Sequence, residues 1–249
     1  MLKKLQISRG KPGSEFCLET ITITLNDYII DLSIYYDEDT INPRKFDSNL
    51  AEFICFSKRF KLGDEHDYAT PDDFMEWLES EEAKYYLVEP LYAYIHSGIS
   101  ISTSPFYDPW DSGQVGWVRV DLRKICEEFY PNVGFDLQND DFRSEILKTA
   151  EGIIHSEVNV YDMYIRGDVY GFSIEVRQRL NGTDYRELDD LYDSLSGCYG
   201  MDDLRMDIQN SMLNILESLG LSNSEAVNVY EEICDNSDYL APVKNRSGG

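Results

Sequence analysis

Reactive side chains crowd into one short stretch of the chain: His96 and Ser97, then Asp108, Trp110, Asp111, Ser112 and Gln114. A hydroxyl, an imidazole and a carboxylate make a nucleophilic triad when the base lies within hydrogen-bond reach of the nucleophile and the acid orients the base. Adjacency in sequence does not supply that geometry, because neighbours such as His96 and Ser97 point to opposite faces of a strand. No Gly-x-Ser-x-Gly elbow is present to present a serine. The same stretch carries Gly98, Pro105, Pro109 and Gly113 among its Asp and Ser residues, which is the composition of a fixed turn. The turn reading is preferred and no residue is assigned a catalytic role. A small enzyme with its site around His96, Ser97, Asp108, Asp111 and Gln114 stays open as an alternative.

Other chemistries find less support. The three histidines, His66, His96 and His155, show neither His-x-x-x-His nor His-Glu-x-x-His spacing, so no metal is expected. Asp108 with Asp111, or Asp189 with Asp190, has the ligand type for Mg²⁺, but such pairs arise by chance in a chain this acidic. There is no Gly-x-x-x-x-Gly-Lys-Ser/Thr loop and no Gly-x-Gly-x-x-Gly after a strand, so no nucleotide cofactor is expected either.

Charge is the strongest bulk signal. Forty-seven acidic residues face 22 basic ones, a net charge of -25, and that field repels polyanions and attracts basic surfaces. Direct nucleic-acid binding is therefore not expected. Asp64, Glu65, Asp67, Asp72, Asp73, Glu76, Glu79, Glu81 and Glu82 fall in one run without a Lys or Arg. A second acidic group holds Asp189, Asp190, Asp193, Asp202 and Asp203. Such faces either keep a protein soluble or imitate the phosphates of a nucleic acid in the basic groove of a partner. Both groups are candidate partner-binding faces.

Five cysteines, an odd number without a Cys-x-x-Cys pair, argue against a disulfide framework and for a reducing compartment. Residues 1–14 form a basic arm with Lys3, Lys4, Arg9 and Lys11 but no apolar run of signal-peptide length, and no membrane-spanning stretch follows. A cytoplasmic location without membrane contact is expected.

The elements that must position these residues read as an α+β fold: antiparallel hairpins packed on a long central helix, with a helical C-terminal segment. Ile21, Ile23 and Leu25 alternate with threonines, Asn26-Asp27 turn the chain, and Tyr28 to Tyr36 resume the period of two. Glu52 to Phe56 reads as a buried strand, and Thr70-Pro71-Asp72-Asp73 opens a short helix. Leu91 to Thr103 predicts a second hairpin about Ser97-Gly98, and Val115 to Val120 a further strand. Asp121 caps a helix that Pro131 ends. Apolar residues from Asn139 to about Arg166 keep helical spacing over a stripe wide enough to cover a sheet, and Gly167 stops it. Asn181-Gly182 predicts a third hairpin, and the last third reads as helical, with a Ser222 to Glu225 capping box. One domain over 1–249 is expected, with a sub-boundary, if any, at 132–141 and a flexible tail at 241–249.

The run Tyr94 to Val118, containing His-Ser-Gly-Ile-Ser-Ile-Ser-Thr and Trp-Asp-Ser-Gly-Gln-Val-Gly, resembles an uncharacterised family common on phages and conjugative elements of Gram-positive bacteria. Tyr164 to Phe172 resembles a second block of that family, and Asp193-Ser194 with Gly197, Tyr199 and Gly200 a third. The third block departs from the pattern: Leu195-Ser196-Gly197-Cys198-Tyr199-Gly200 stands where Cys-Trp-Gly-Phe-Tyr-Gly is expected. The resemblance implies a mobile-element setting and no activity. Small acidic proteins of such elements often block restriction enzymes, CRISPR effectors or other defence nucleases. The expected function is therefore an anti-defence inhibitor that binds a host nucleic-acid-processing protein by its basic surface. A phage or plasmid adaptor is the alternative to set beside the enzyme.

Overall fold

The computed structural model describes residues 4–10, 16–57 and 59–241. In chain order the strands and helices begin with β1 (Leu5–Gly10), β2 (Cys17–Leu25), β3 (Tyr28–Tyr36), β4 (Ala51–Cys55) and α1 (Pro71–Leu78). Next come β5 (Tyr86–Ile95), β6 (Ile99–Ser102), β7 (Ser112–Asp121), α2 (Leu122–Phe129) and α3 (Asp140–Arg166). The chain finishes with β8 (Val169–Asn181), β9 (Asp184–Glu187), β10 (Asp193–Tyr199), α4 (Met201–Ser218) and α5 (Asn223–Asp235). No helix among the described residues is long and apolar enough to cross a membrane.

These elements form two compact units, one made by the chain up to Thr40 and from Gly167 onward, the other by Ile41–Arg166. The polar stretch at 132–141 lies inside the second unit, joining α2 to α3; the chain passes between units at Thr40 and Arg166. Of the basic arm at 1–14, Leu5–Gly10 is strand β1, while residues 1–3 and 11–14 lie outside the described residues, as do residues 242–249 of the tail.

In the first unit an antiparallel sheet runs β1-β2-β3-β8-β10, with β9 folded back on the end of β8. The alternation of β2 and β3 sends Ile21, Ile23, Leu25, Ile30, Leu32 and Ile34 to one face, all fully buried. The two-residue turn between them takes positive φ at Asn26 (55°), a conformation asparagine tolerates. Register then continues the apolar face across β8, with Ile34 opposite Phe172, Leu32 opposite Ile174 and Ile30 opposite Val176. Leu204, Ile208 and Met212 of α4, with Val229 and Ile233 of α5, cover that face. On the opposite face Thr22 donates to Asp31 (2.6 Å) and Arg177 pairs with the same carboxylate.

In the second unit the antiparallel order is β4-β7-β5-β6. One face carries Phe53, Leu91, Ala93, Ile101, Val118 and Val120 against Ile146, Ala150, Ile154, Val158 and Tyr161 of the long helix α3, with α2 beside it. The central helix thus packs within its own unit, and α4 and α5 serve the other sheet. α1 lies on the outer face, where its Phe74 ring meets Trp117 with centroids 4.9 Å apart. Arg119 stacks over Trp77 (4.4 Å), donates to Glu52 (2.8 Å) and to the Tyr68 hydroxyl (2.8 Å), and so ties α1 to the sheet. β4 and β7 approach so closely at Gly116 that a Cβ there would stand 2.0 Å from the Ile54 carbonyl oxygen.

Candidate functional site: a tied loop and two acidic faces

The loop singled out by sequence is built by β5, β6 and β7. β5 ends at Ile95, Ser97-Gly98 turn the chain into β6, and 103–111 carries it back to β7. His96 and Asp111 meet, with Nδ1 and Oδ2 2.8 Å apart, beside a backbone bond from Ile95 N–H to the Asp111 carbonyl (2.7 Å). Asp108 takes no part in that pair. Its Oδ1 accepts the N–H groups of Trp110 (2.8 Å) and Asp111 (3.2 Å), and its carbonyl accepts the Ser112 hydroxyl. Gln114 donates to Gly116 of its own strand (3.1 Å). Asp108 is therefore the residue that shapes the turn, as an Asx-type acceptor.

A carboxylate on Nδ1 fixes one face of the imidazole and leaves Nε2 for proton transfer. The Ser97 hydroxyl has no hydrogen bond to His96 or to any other described residue, so the neighbours in sequence do not form a nucleophile and base. His96 is 66% exposed, where water competes for every such contact. What the loop presents outward is aromatic: Trp110 is 91% exposed and Tyr107 fully so, at a tip supported by Phe106 against Tyr94 (5.8 Å).

One functional group escaped the sequence reading. Asp162, 9% exposed in the apolar stripe of α3, accepts the Ser100 hydroxyl (2.8 Å) and the Ile101 N–H (2.7 Å) through Oδ1, while Arg166 reaches Oδ2 (3.4 Å). Ile101 lies on the edge strand β6, so the carboxylate occupies a ladder position that another strand would otherwise take. A charge one turn beyond Val158 on a core-facing stripe was the available signal.

The first acidic run divides by role. Asp64 is turned inward, where it receives Arg44 (2.8 Å) and the Phe53 N–H (2.9 Å). Arg44, only 5% exposed, also binds Glu157 (2.6 Å) and lies 4.0 Å over the Phe53 ring, and Glu157 accepts the N–H groups of Leu50 and Ala51. Asp73 caps α1 by accepting the Thr70 N–H (2.9 Å), Glu81 pairs with Lys84, and Glu82 pairs with Arg123. Glu65, Asp67, Asp72, Glu76 and Glu79 are exposed and make no ion pair among the described residues.

In the other unit Asp189 and Asp190 sit on the exposed turn between β9 and β10, and Asp193 begins β10 half-buried. Asp202 and Asp203 open α4, where carboxylates complement the helix dipole, and Asp202 pairs with Arg205 (2.9 Å).

The geometry defines an α+β protein of two antiparallel units, each carrying exposed carboxylates, such as Glu76 in one and Asp189 in the other, that make no ion pair among the described residues. The chain matches no protein-family model, no curated protein and no solved structure.

Proposed function

We propose that this chain is a mobile-element inhibitor of a bacterial defence system. It would act in the host cytoplasm by docking its acidic faces on the basic nucleic-acid-binding surface of a restriction, CRISPR or related protein. One observation carries the reading: Glu65, Asp67, Asp72, Glu76 and Glu79 stay exposed around α1 and make no ion pair among the described residues, whereas Asp64 is bound by Arg44, Asp73 caps α1, and Glu81 and Glu82 pair with Lys84 and Arg123. A run maintained only for internal pairing would not leave this remainder, and such a surface attracts cationic grooves at a rate that salt reduces. Expression in a restriction- or CRISPR-proficient Gram-positive host should raise phage plaquing, and a variant with all five residues changed to Gln or Asn should not. Equal plaquing with both proteins, or no gain with either, would reject the reading.

The adaptor reading is favoured by a different observation, the exposed Tyr107 and Trp110 at a tip held by Asp108. Aromatic residues of this kind anchor protein interfaces. Trp110→Ala with loss of partner binding, alongside full binding by the five-carboxylate variant, would favour the adaptor over the mimic.

A further inference from the structure

We infer that the second unit carries a divalent transition-metal site formed by Glu89, Glu151 and His155. One ligand atom from each lies within 4.8 Å of the other two, and His155 Nε2 stands 3.2 Å from a Glu89 carboxylate oxygen. Four-coordinate Zn²⁺ with ligands at about 2.0–2.1 Å holds them about 3.4 Å apart, a closure within reach of small side-chain rotations.

Position argues as strongly as proximity. Leu87, Glu89, Leu91 and Ala93 alternate onto the face of β5 that meets α3, and Leu91 and Ala93 are fully buried there. Glu89 therefore occupies a register position that the pattern reserves for an apolar side chain, and its side chain is 19% exposed. Glu151 and His155, one turn apart on α3, are brought against it. Glu89 is partly buried while Glu151 and His155 are exposed, and two carboxylates this close repel each other, a repulsion that a cation between them would relieve. Among the described residues no Lys or Arg forms an ion pair with either. Lys148 lines the adjoining cavity of about 450 Å³ without reaching them. A break in an otherwise consistent apolar pattern is where a functional site is expected.

The imidazole sets the class of ion. Mg²⁺ and Ca²⁺ favour all-oxygen shells, whereas one imidazole nitrogen with two carboxylates suits Zn²⁺ first and Mn²⁺ less tightly. The cavity side leaves room for water to complete the shell. Motif spacing did not show the set because Glu89 and His155 are 66 positions apart.

Calorimetric titration of the full chain after chelator treatment tests the site. Zn²⁺ should bind one equivalent saturably, Mn²⁺ more weakly, and Mg²⁺ without saturation. Glu89→Gln, Glu151→Gln and His155→Ala should each weaken Zn²⁺ roughly tenfold or more. Glu145→Gln, on the exposed face of α3, should leave binding unchanged and so separate the site from general attraction to an acidic surface. Zn²⁺ should also raise the melting temperature of the unmodified chain and not that of the triple variant, provided circular dichroism shows both folded. Absence of saturable Zn²⁺ binding, or equal binding and equal thermal shift in the triple variant, would overturn the site.

Discussion

Arg44 is the most heavily engaged single residue in the second unit. Its guanidinium neutralises Asp64 and Glu157, donates to the Ala51 carbonyl (2.6 Å) and lies over the Phe53 ring. Removing one member of a buried ionic set leaves uncompensated charge, so Arg44→Ala should lower unfolding stability by about 3–5 kcal/mol, read from urea denaturation. Burial, and next the nearby Asp64 charge, pushes the Cys55 thiol up to about 12, and burial with Asp207 does the same for Cys198. Neither thiolate forms at neutral pH, so iodoacetamide at pH 8 should leave both unlabelled until the chain is unfolded, as mass spectrometry of the labelled peptides will show. Burial alone would raise the Asp121 carboxyl, but hydrogen bonds from the Arg123 side chain and backbone outweigh it and hold the carboxyl below its usual range. A folded-state pKa below the unfolded value of about 3.9 means stability present above that pH and lost as pH falls through the folded value. Asp121→Asn should flatten the acid limb of the stability profile below about pH 4, in denaturant melts across pH. Of these roles only the cap is legible in the chain itself: Asp121 accepts the Arg123 N–H (2.9 Å) at the start of α2, as its place before the helical residues predicts. Asp64 and Glu65 are neighbours of the same charge, and only the folded position of Arg44 separates the structural carboxylate from the exposed one.

At the scale of elements, the carboxylates also guard the sheet of the second unit. Glu157 and Asp64 accept N–H groups of edge strand β4, and Asp162 accepts that of β6 at the opposite edge. Asp162→Ala leaves the buried Ile101 N–H unsatisfied and should destabilise by about 1–3 kcal/mol, with faster amide exchange localised to β6. Elements with strong local signals were readable. The β2–β3 hairpin follows its alternation, the Thr70 cap places the start of α1, and the wide stripe of α3 runs from Asp140 to Arg166 as expected. β10 (Asp193–Tyr199) carries no local signal between the Asn181-Gly182 hairpin and the helical residues from Leu204, because Asp193-Ser-Leu-Ser-Gly-Cys-Tyr has little alternation. Its strand form comes from pairing with β8 across an irregular register at Leu195 and Cys198. Within the candidate loop the residue types and the turn were evident, whereas the His96–Asp111 contact joins the end of one strand to the entry of another and depends on the pairing of β5 with β7.

Over the whole molecule, a net charge of -25 disfavours compaction through self-repulsion. Added NaCl should therefore raise the melting temperature between about 10 and 150 mM, where the screening length falls from about 30 to about 8 Å. The second unit enters the chain between β3 and β8, which pair directly from Tyr28 opposite Gln178 to Tyr36 opposite Tyr170. Those two strands must find each other across the full length of the insertion, while every strand of the β4-β7-β5-β6 sheet and its long helix lie within Ile41–Arg166. On a translating ribosome the inserted unit can close as soon as α3 has emerged, yet the greasy face of β2 and β3 must wait for β8 and then for α4. That waiting hairpin is the segment a nascent-chain chaperone would meet, and the vulnerability of this protein during its own synthesis lies in β2 and β3.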